Sequence, residues 1–444
     1  MLSFILEELQ SLQAAARERP VETCAVGFVA PAGRRNGVNR FVVRGLQEVP
    51  EGAYQWRTEV NAVLAPAYCM EVANEARANG MGVLFAHTHP GTNPLEGFSC
   101  TDDQGEVALA CYFDRRLPLS THFGAVITSR GISARQLGML QEVPVTAAGR
   151  DFVRDARASS SLVEQYDRQV RALGPEGQRM LQGVKVAIVG LGGTGSVVAQ
   201  QLAYLGVRDY VLIDPDSVEP TNLNRLVGAT HNDIGLGKAD MAARLISSVN
   251  PAATCTAIAG DVVNEDVAVR LLEVDFIFAC TDSMASRAVM NQFAYQYLIP
   301  CIDTGVAIGV ADGHVKYVSG RTQMLASGLP CLVCTDLLDG EQVRVEMLSE
   351  EQRRRDPYIL GGSIPQPAVI SINSSMSSAA VTMFLSAVAG LPSAARMVIY
   401  DGIRGSMRPT VMDQRPQCIV CSREGALARG STWLLPTRHE ACNG

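Results

Sequence analysis

Val184-Lys-Val-Ala-Ile-Val-Gly-Leu-Gly-Gly-Thr-Gly-Ser196 decides the fold of the larger part of this chain. Its apolar start, Val184 to Val189, reads as a buried strand, and Gly190, Gly192, Gly193 and Gly195 form a turn that opens a helix over Ser196 to Leu205. A strand, a glycine turn and a helix N-terminus in that order direct backbone N–H groups and the helix dipole at one point, where phosphate is held. Tyr210 to Asp214 is the next strand and completes a βαβ unit, with Asp214 placed to bind ribose hydroxyls. Strands at Phe276 to Ala279 and Pro300 to Asp303 continue the alternation, and a charged helix near Gln165 to Leu181 precedes it. The pattern predicts an α/β fold with a largely parallel, Rossmann-like, doubly wound sheet.

A nicotinamide dehydrogenase shares these features, so the discrimination rests on the residues after Asp214. Asp214-Pro-Asp216-Ser-Val-Glu-Pro-Thr-Asn222-Leu-Asn-Arg225 leads to Lys238, one of only three lysines in the chain, and then to Cys280-Thr281-Asp282 after another strand. Asn222, Arg225 and Lys238 gather the donors and positive charge that a triphosphate needs, and Asp282 is an acid suited to magnesium. Two Cys-x-x-Cys pairs, Cys331/Cys334 and Cys418/Cys421, have the spacing of a closed structural zinc site.

This array resembles the ThiF/MoeB and ubiquitin-activating-enzyme family from about Tyr166 to Cys421. The resemblance implies that Asp214 holds ribose, that Asn222, Arg225 and Lys238 hold the phosphates of ATP, and that Asp282 sits near Mg2+. It implies that Arg168, in Arg168-Gln169, reaches the nucleotide of a second subunit, hence a homodimer. The reaction implied is attack by the C-terminal carboxylate of a ubiquitin-like or sulfur-carrier β-grasp protein on the α-phosphate of ATP. Many such enzymes then pass the acyl group to a cysteine between the zinc pairs, but Thr335 to Gln417 contains none. The adenylate is then either the final product, handed to a sulfur donor or a conjugating enzyme, or another thiol serves; Cys442 lies in the polar tail and Cys301 ends an apolar strand.

Upstream lies a different pattern. Leu2, Ile5, Leu6, Leu9 and Leu12 recur at helical spacing; strands are expected at Cys24 to Val29, Phe41 to Val43, Gly82 to Ala86 and Gly124 to Thr128, with a long helix from about Val60 to Arg77. Periodicity fades into Pro, Ala, Gly and Ser between Glu142 and Ser161, which places a first domain at 1–145, a linker at 146–161 and the second domain at 162–444. His87-Thr88-His89-Pro90 follows a strand, so two imidazoles one residue apart converge at its end, and a later Asp102 completes two nitrogens and one oxygen for a zinc. Glu22 is the candidate base for a zinc-held water, and Ser99 the candidate donor to a tetrahedral oxyanion. Asp103, next along the chain, is an alternative ligand.

With Ser99-Cys100-Thr101-Asp102 and the upstream Pro20-Val-Glu-Thr-Cys24, this region resembles the JAMM (MPN) metalloprotease family over about Met1 to Leu140. The resemblance implies a mixed α+β domain that removes or trims ubiquitin-like proteins. The interval between His89 and Ser99 is two residues longer than the family's usual one. A domain that keeps this fold only as a docking module is the competing expectation.

The bulk composition is compatible with both halves. At 444 residues, with 47% hydrophobic and 19% charged, the chain has material for two cores. A net charge of -7 without a long basic run argues against nucleic-acid and anionic-membrane partners. No secretory signal is read at the start, and Ala379 to Leu391 reads as a buried helix rather than a bilayer span. Twelve cysteines in a long chain without such a signal point to a reducing, cytoplasmic setting. The sequence therefore predicts trimming of a small carrier by one domain and ATP-dependent adenylation of its terminus by the other.

Overall fold

The computed structural model describes residues 1–91, 97–154, 164–349, 352 and 367–438. They divide into two compact units. The first comprises the described chain up to Arg154 together with Gln296–Leu298 and Ala426–Leu434, and the second holds the remainder.

The first unit is built on an eight-stranded sheet. Its strands are β1 (Leu2–Ile5), β2 (Cys24–Arg35), β3 (Val38–Glu48), β6 (Gly82–Thr88), β7 (Phe123–Ile127), β8 (Ile132–Gln136), β9 (Val145–Ala148) and β10 (Phe152–Arg154). The order across the sheet is β10-β9-β1-β3-β2-β6-β7-β8, and β4 (Tyr54–Arg57) and β5 (Ala62–Leu64) form a separate hairpin. Alternating side chains give the sheet two apolar faces. On one face Leu6, Leu9 and Leu12 of α1 (Leu6–Glu18) pack with Leu2, Phe4, Val43, Leu84 and Ile127. On the other, Val72, Ala73 and Ala76 of α2 (Pro66–Asn79) and Phe113 of α3 (Cys100–Arg116) pack with Val26, Val83 and Phe85.

Two expectations are corrected. The helix expected from Val60 begins at Pro66, a residue suited to a first helical position, because the preceding segment pairs as the β4–β5 hairpin. The stretch expected to be a linker from 146 carries β9 and β10, and β9 pairs in parallel with β1 from Leu2↔Val145 to Ile5↔Ala148. Its short, small-residue strands have too little amphipathic pattern to announce themselves.

The second unit has the strand order β13-β12-β11-β14-β15-β16-β17-β18. β11 (Lys185–Val189), β12 (Asp209–Ile213), β13 (Thr254–Ile258), β14 (Phe276–Ala279) and β15 (Cys301–Ala311) are parallel, as expected. The sheet then departs from the expected parallel pattern: β16 (His314–Leu325), β17 (Met397–Asp401) and β18 (Ser406–Pro409) extend it antiparallel. Its helices are α4 (Asp167–Gly183), α5 (Gly195–Leu205), α6 (Lys238–Val249), the one-turn α7 (Glu265–Ala268), α8 (Met284–Gln296), α9 (Gly340–Met347) and α10 (Ile370–Ala389). α10 is long and apolar enough to cross a bilayer, yet Met376, Ala380, Phe384 and Val388 are buried in the unit, and the Phe384 ring packs edge-to-face against Phe276 and tilted against Phe278 of β14. Chain order reverses between β11 and β14, and at the carboxyl ends of such strands an open α/β sheet leaves a crevice for ligand.

Candidate functional site

Two constellations stand out, one in each unit. In the first, β2 and β6 pair antiparallel with Cys24 opposite His87, and Thr88 N donates to Thr23 O at 2.9 Å while Thr88 Oγ1 accepts from Thr23 N at 2.9 Å. This zipper carries Glu22, at 5% exposure, to His87 and His89, and ligand atoms of the three lie within 4.8 Å of one another. The two Nε2 atoms are 3.3 Å apart. Asp102 closes the group, with Oδ1 3.0 Å from His87 Nε2 and Oδ2 3.6 Å from His89 Nε2.

Asp102 is held by a helix start. Ser99 is the N-cap of α3: its Oγ accepts from Asp102 N at 3.2 Å, and its own N donates to Asp102 Oδ2 at 2.6 Å. This reciprocal cap satisfies two of the orphan donors of a helix N-terminus, and the same carboxylate faces the imidazoles. The Ser99 hydroxyl uses a lone pair in the cap and keeps its O–H to donate. Asp103 turns away, to Arg135 Nη1 at 2.7 Å, and so does not join the histidines. Arg135, its side chain 3% exposed, also binds Glu106 Oε2 through Nε at 2.8 Å and lies 3.7 Å from the Phe98 ring centroid. Arg135 thereby ties β8 to the first turns of α3 and sets the rotation that presents Asp102. Nothing in the sequence singled Arg135 out, since its partners lie some thirty residues upstream.

Burial pushes the Glu22 carboxyl above its ordinary value, against the pull of His87 and His89. Asp102 goes the other way: burial would raise it, but hydrogen bonds from His87 and His89 hold it well below the usual carboxylate range. The site thus offers an ionised oxygen and two imidazole nitrogens beside a carboxyl whose proton affinity is increased. Two nitrogens and one oxygen are a donor set that fits zinc with a coordination position left open.

The second unit presents a cavity of about 530 Å³ at the β11/β14 reversal. Gly190, Gly192, Gly193, Asp214, Asp216, Arg225, Lys238 and Asp282 all line it. Gly190 has a φ of +86°, and a Cβ on Gly195 would stand 1.9 Å from Gly190 O, so the turn closes only with glycine. A Cβ on Gly192 would meet nothing within 4 Å; that backbone faces open space, as a phosphate cradle requires. Asp214 lies just past β12 and braces the turn, accepting from Leu191 N at 2.6 Å and Asp216 N at 2.9 Å. Its carboxyl is raised by burial, against those two backbone donors. Lys238 Nζ rests 2.7 Å from Asp216 Oδ2, and Arg225 Nη1 donates to Thr221 O at 2.7 Å.

Three expected residues lie off the cavity lining: Gly195, which closes the turn, Asn222 and Arg168. Asn222 is buried and caps its own loop, its Oδ1 accepting from Glu219 N at 3.2 Å, so it shapes the Arg225 loop rather than facing the hollow. Arg168 is exposed at the start of α4. Arg287 and Asn373 line the cavity without having been foreseen. Arg287 follows Asp282 on α8 and binds the fully buried Asp303 at 3.2 Å, and it sits where a Cβ on Gly305 would come within 2.6 Å of its Nη2.

Cys331, Cys334, Cys418 and Cys421 are buried with their sulfurs within 4.8 Å of one another, at 3.4 Å for Cys331–Cys418 and for Cys334–Cys421 and 3.7 Å for Cys331–Cys334. Tetrahedral zinc with Zn–S near 2.3 Å places sulfurs about 3.8 Å apart, so the cluster fits a closed site. The Cys421 thiol draws the Cys331 thiol down to about 5, the direction a thiolate ligand needs. Cys301 is fully buried, as expected of a core residue, and Cys442 lies outside the described residues.

Known proteins share part of this chain. Residues 166–420 match the ThiF family. The molybdopterin-synthase adenylyltransferase of Escherichia coli is 27% identical over 270 residues, covering 60% of this chain and 100% of that protein. The sulfur carrier protein adenylyltransferase of Thermus thermophilus is 29% identical over 264 residues, covering 59% of this chain and 92% of its own length. Among solved structures, E. coli MccB with AMPCPP and MccA is similar at a TM-score of 0.46 and 19% identity, over 58% of this chain and 74% of that one.

Proposed function

The chain belongs to the ThiF family, and from that premise we propose that it adenylates the C-terminal carboxylate of a ubiquitin-like or sulfur-carrier protein with Mg-ATP, and that its first unit trims or releases the same protein as a JAMM-type zinc peptidase. The observation that carries the adenylation half is the cavity at the β11/β14 reversal, where the glycine turn, Arg225, Lys238 and Asp282 share one hollow. The names of the two enzyme relatives, a molybdopterin-synthase adenylyltransferase and a sulfur carrier protein adenylyltransferase, support the substrate class.

In this reading the glycine turn and Lys238 hold the phosphate chain, Arg225 adds charge beside it, and Asp214 with its braced loop holds the ribose. The substrate carboxylate, already ionised, forms a bond to the α-phosphorus while the bond to pyrophosphate breaks. Positioning and charge stabilisation carry the rate. Between turnovers Lys238 rests on Asp216, which pairs its charge, and it leaves that contact to bind phosphate. Asp282 and Asp216 are the carboxylates that would hold magnesium, whose charge offsets that of the phosphates. Arg168, exposed at a helix start, is assigned to the nucleotide of a second subunit in a homodimer. The Cys₄ cluster would hold a structural zinc.

In the first unit His87, His89 and Asp102 would hold zinc, which supplies a Lewis acid and an acidified water. Glu22 takes a proton at its carboxylate, for which its raised proton affinity suits it, and later returns it to the leaving amine. The Ser99 O–H donates to the developing oxyanion. The cysteine usage, with four of the twelve in two Cys-x-x-Cys pairs, supports a cytoplasmic setting.

The test of the adenylation half is ATP–pyrophosphate exchange with a β-grasp carrier ending in glycine. Exchange is expected with the wild type and is expected to be lost in Lys238→Ala and Asp282→Ala; undiminished exchange in both variants would sink this half.

A further inference from the structure

The side-chain amide of Asn373 is a polar group at the nucleotide cavity to which the adenylation chemistry assigns no role. Asn373 sits in the first turn of α10, 5% exposed, and lines the cavity together with Pro367 and Ala368, which lead into the helix. Its backbone is engaged, with N donating to Val369 O at 3.1 Å and O accepting from Ser377 Oγ at 2.9 Å. Its side-chain amide makes no hydrogen bond to any described residue and opens onto the cavity, where a ligand can complete it.

The amide is also fixed in place over the phosphate turn. A Cβ on Gly193 would stand 2.2 Å from Asn373 Nδ2 and 3.4 Å from Arg225 Cδ, so turn, amide and arginine meet at one spot. One helical turn further on, the fully buried Ser377 shares its single O–H between Asn373 O at 2.9 Å and Thr194 O at 3.0 Å. Residues four apart share a helix face, so this bond locks the register that brings Asn373 over the glycines. Gln201 Nε2 donates to Ser378 Oγ at 2.8 Å and ties α5 to the same helix.

We infer that Asn373 donates a hydrogen bond from Nδ2 to a phosphate oxygen of the nucleoside triphosphate bound at the glycine turn. This deepens the adenylation reading and rests on it. The residue reaches the site from a helix about 180 residues beyond the turn, so the nucleotide's phosphates complete a contact between two distant parts of one unit. Gly193 then has a second reason to be glycine: a side chain there would displace the amide as well as the ligand.

The experiment titrates the full-length chain with Mg-ATP and with adenosine, which has the base and ribose but no phosphate. A hydrogen bond to a charged acceptor predicts that Asn373→Leu raises the Kd for ATP about 10- to 100-fold and leaves that for adenosine unchanged. Asn373→Asp keeps the shape but sets a negative charge against phosphate, so it weakens ATP further at neutral pH, and the loss is partly recovered as pH falls into the carboxylate range. A merely structural residue would affect both ligands alike and show no such pH dependence. Equal losses for ATP and adenosine, or an unchanged ATP Kd in both variants, would overturn the inference. Wild-type protein that binds adenosine but gains nothing from the phosphates would overturn the adenylation reading itself.

Discussion

The two sites differ in what holds them. The histidine site of the first unit is a knot of side chains bonded to one another: Asp102 to His87, His89 and the Ser99 backbone, Asp103 and Glu106 to Arg135. The cavity of the second unit is lined by the glycine turn and by side chains from several elements, with its cations Lys238, Arg225 and Arg287 held to one side by Asp216, Thr221 and Asp303. The knot suits a small, compact cation whose ligands must be in place beforehand. The hollow suits a large anion that brings its own charge and displaces weak resting contacts.

This contrast can be broken most sharply by crossed substitution. Glu22→Ala should lower cleavage of a tailed carrier about 10²–10⁴-fold, the usual contribution of a general base, while pyrophosphate exchange stays at the wild-type level. Lys238→Ala should do the reverse. If either variant lowers both activities to the same degree, the sites are not chemically separate.

Arg135→Met tests whether the first site depends on its supporting ion pairs. Removing the buried guanidinium leaves Glu106 and Asp103 without their partner, at a cost of about 3–5 kcal/mol. Thermal unfolding should show the loss, and zinc affinity should fall because α3 no longer holds Asp102 in place. Zinc affinity equal to that of the wild type would show that the Ser99 cap alone orients the ligand.

The smallest effect is a pH dependence. Burial raises the Glu22 carboxyl above its ordinary 4.5, so the folded state holds its proton more tightly than the unfolded state. Stability from this group is therefore full below pH 4.5 and declines as pH rises through the folded value. In metal-stripped protein Glu22→Gln should be more stable than the wild type above that window and equal to it below. Denaturant melts at pH 4 and pH 7 read the difference; an advantage of the same size at both would assign it to packing.

Much of the second unit was legible in the sequence because its functional residues come in short runs. Strand, turn and helix between Lys185 and Leu205 are contiguous, so Gly190 to Gly195, Asp214 and Asp216 could be placed without knowing the topology. The antiparallel half of its sheet was not legible, since pairing of β16 with β17 is fixed by strands separated by more than seventy residues. In the first unit His87 and His89 were readable from their place at the end of a strand, and Glu22 from its place at the start of a neighbouring one. The return of Ala426–Leu434 to this unit, with Leu427 O accepting from Arg44 Nη1 at 2.9 Å, left no local pattern.

The sequence by itself determined the glycine turn, the cysteine pairs and the histidine pair, because each depends on backbone conformation or spacing within a few residues. Only the tertiary structure decided that Asp102 and not Asp103 faces the histidines, that Asn222 shapes a loop while Arg287 and Asn373 face the cavity, and that residues 145–154 complete a sheet. Those outcomes turn on which of several chemically equivalent side chains is rotated toward a partner far away in sequence, and that rotation is set by packing of whole elements.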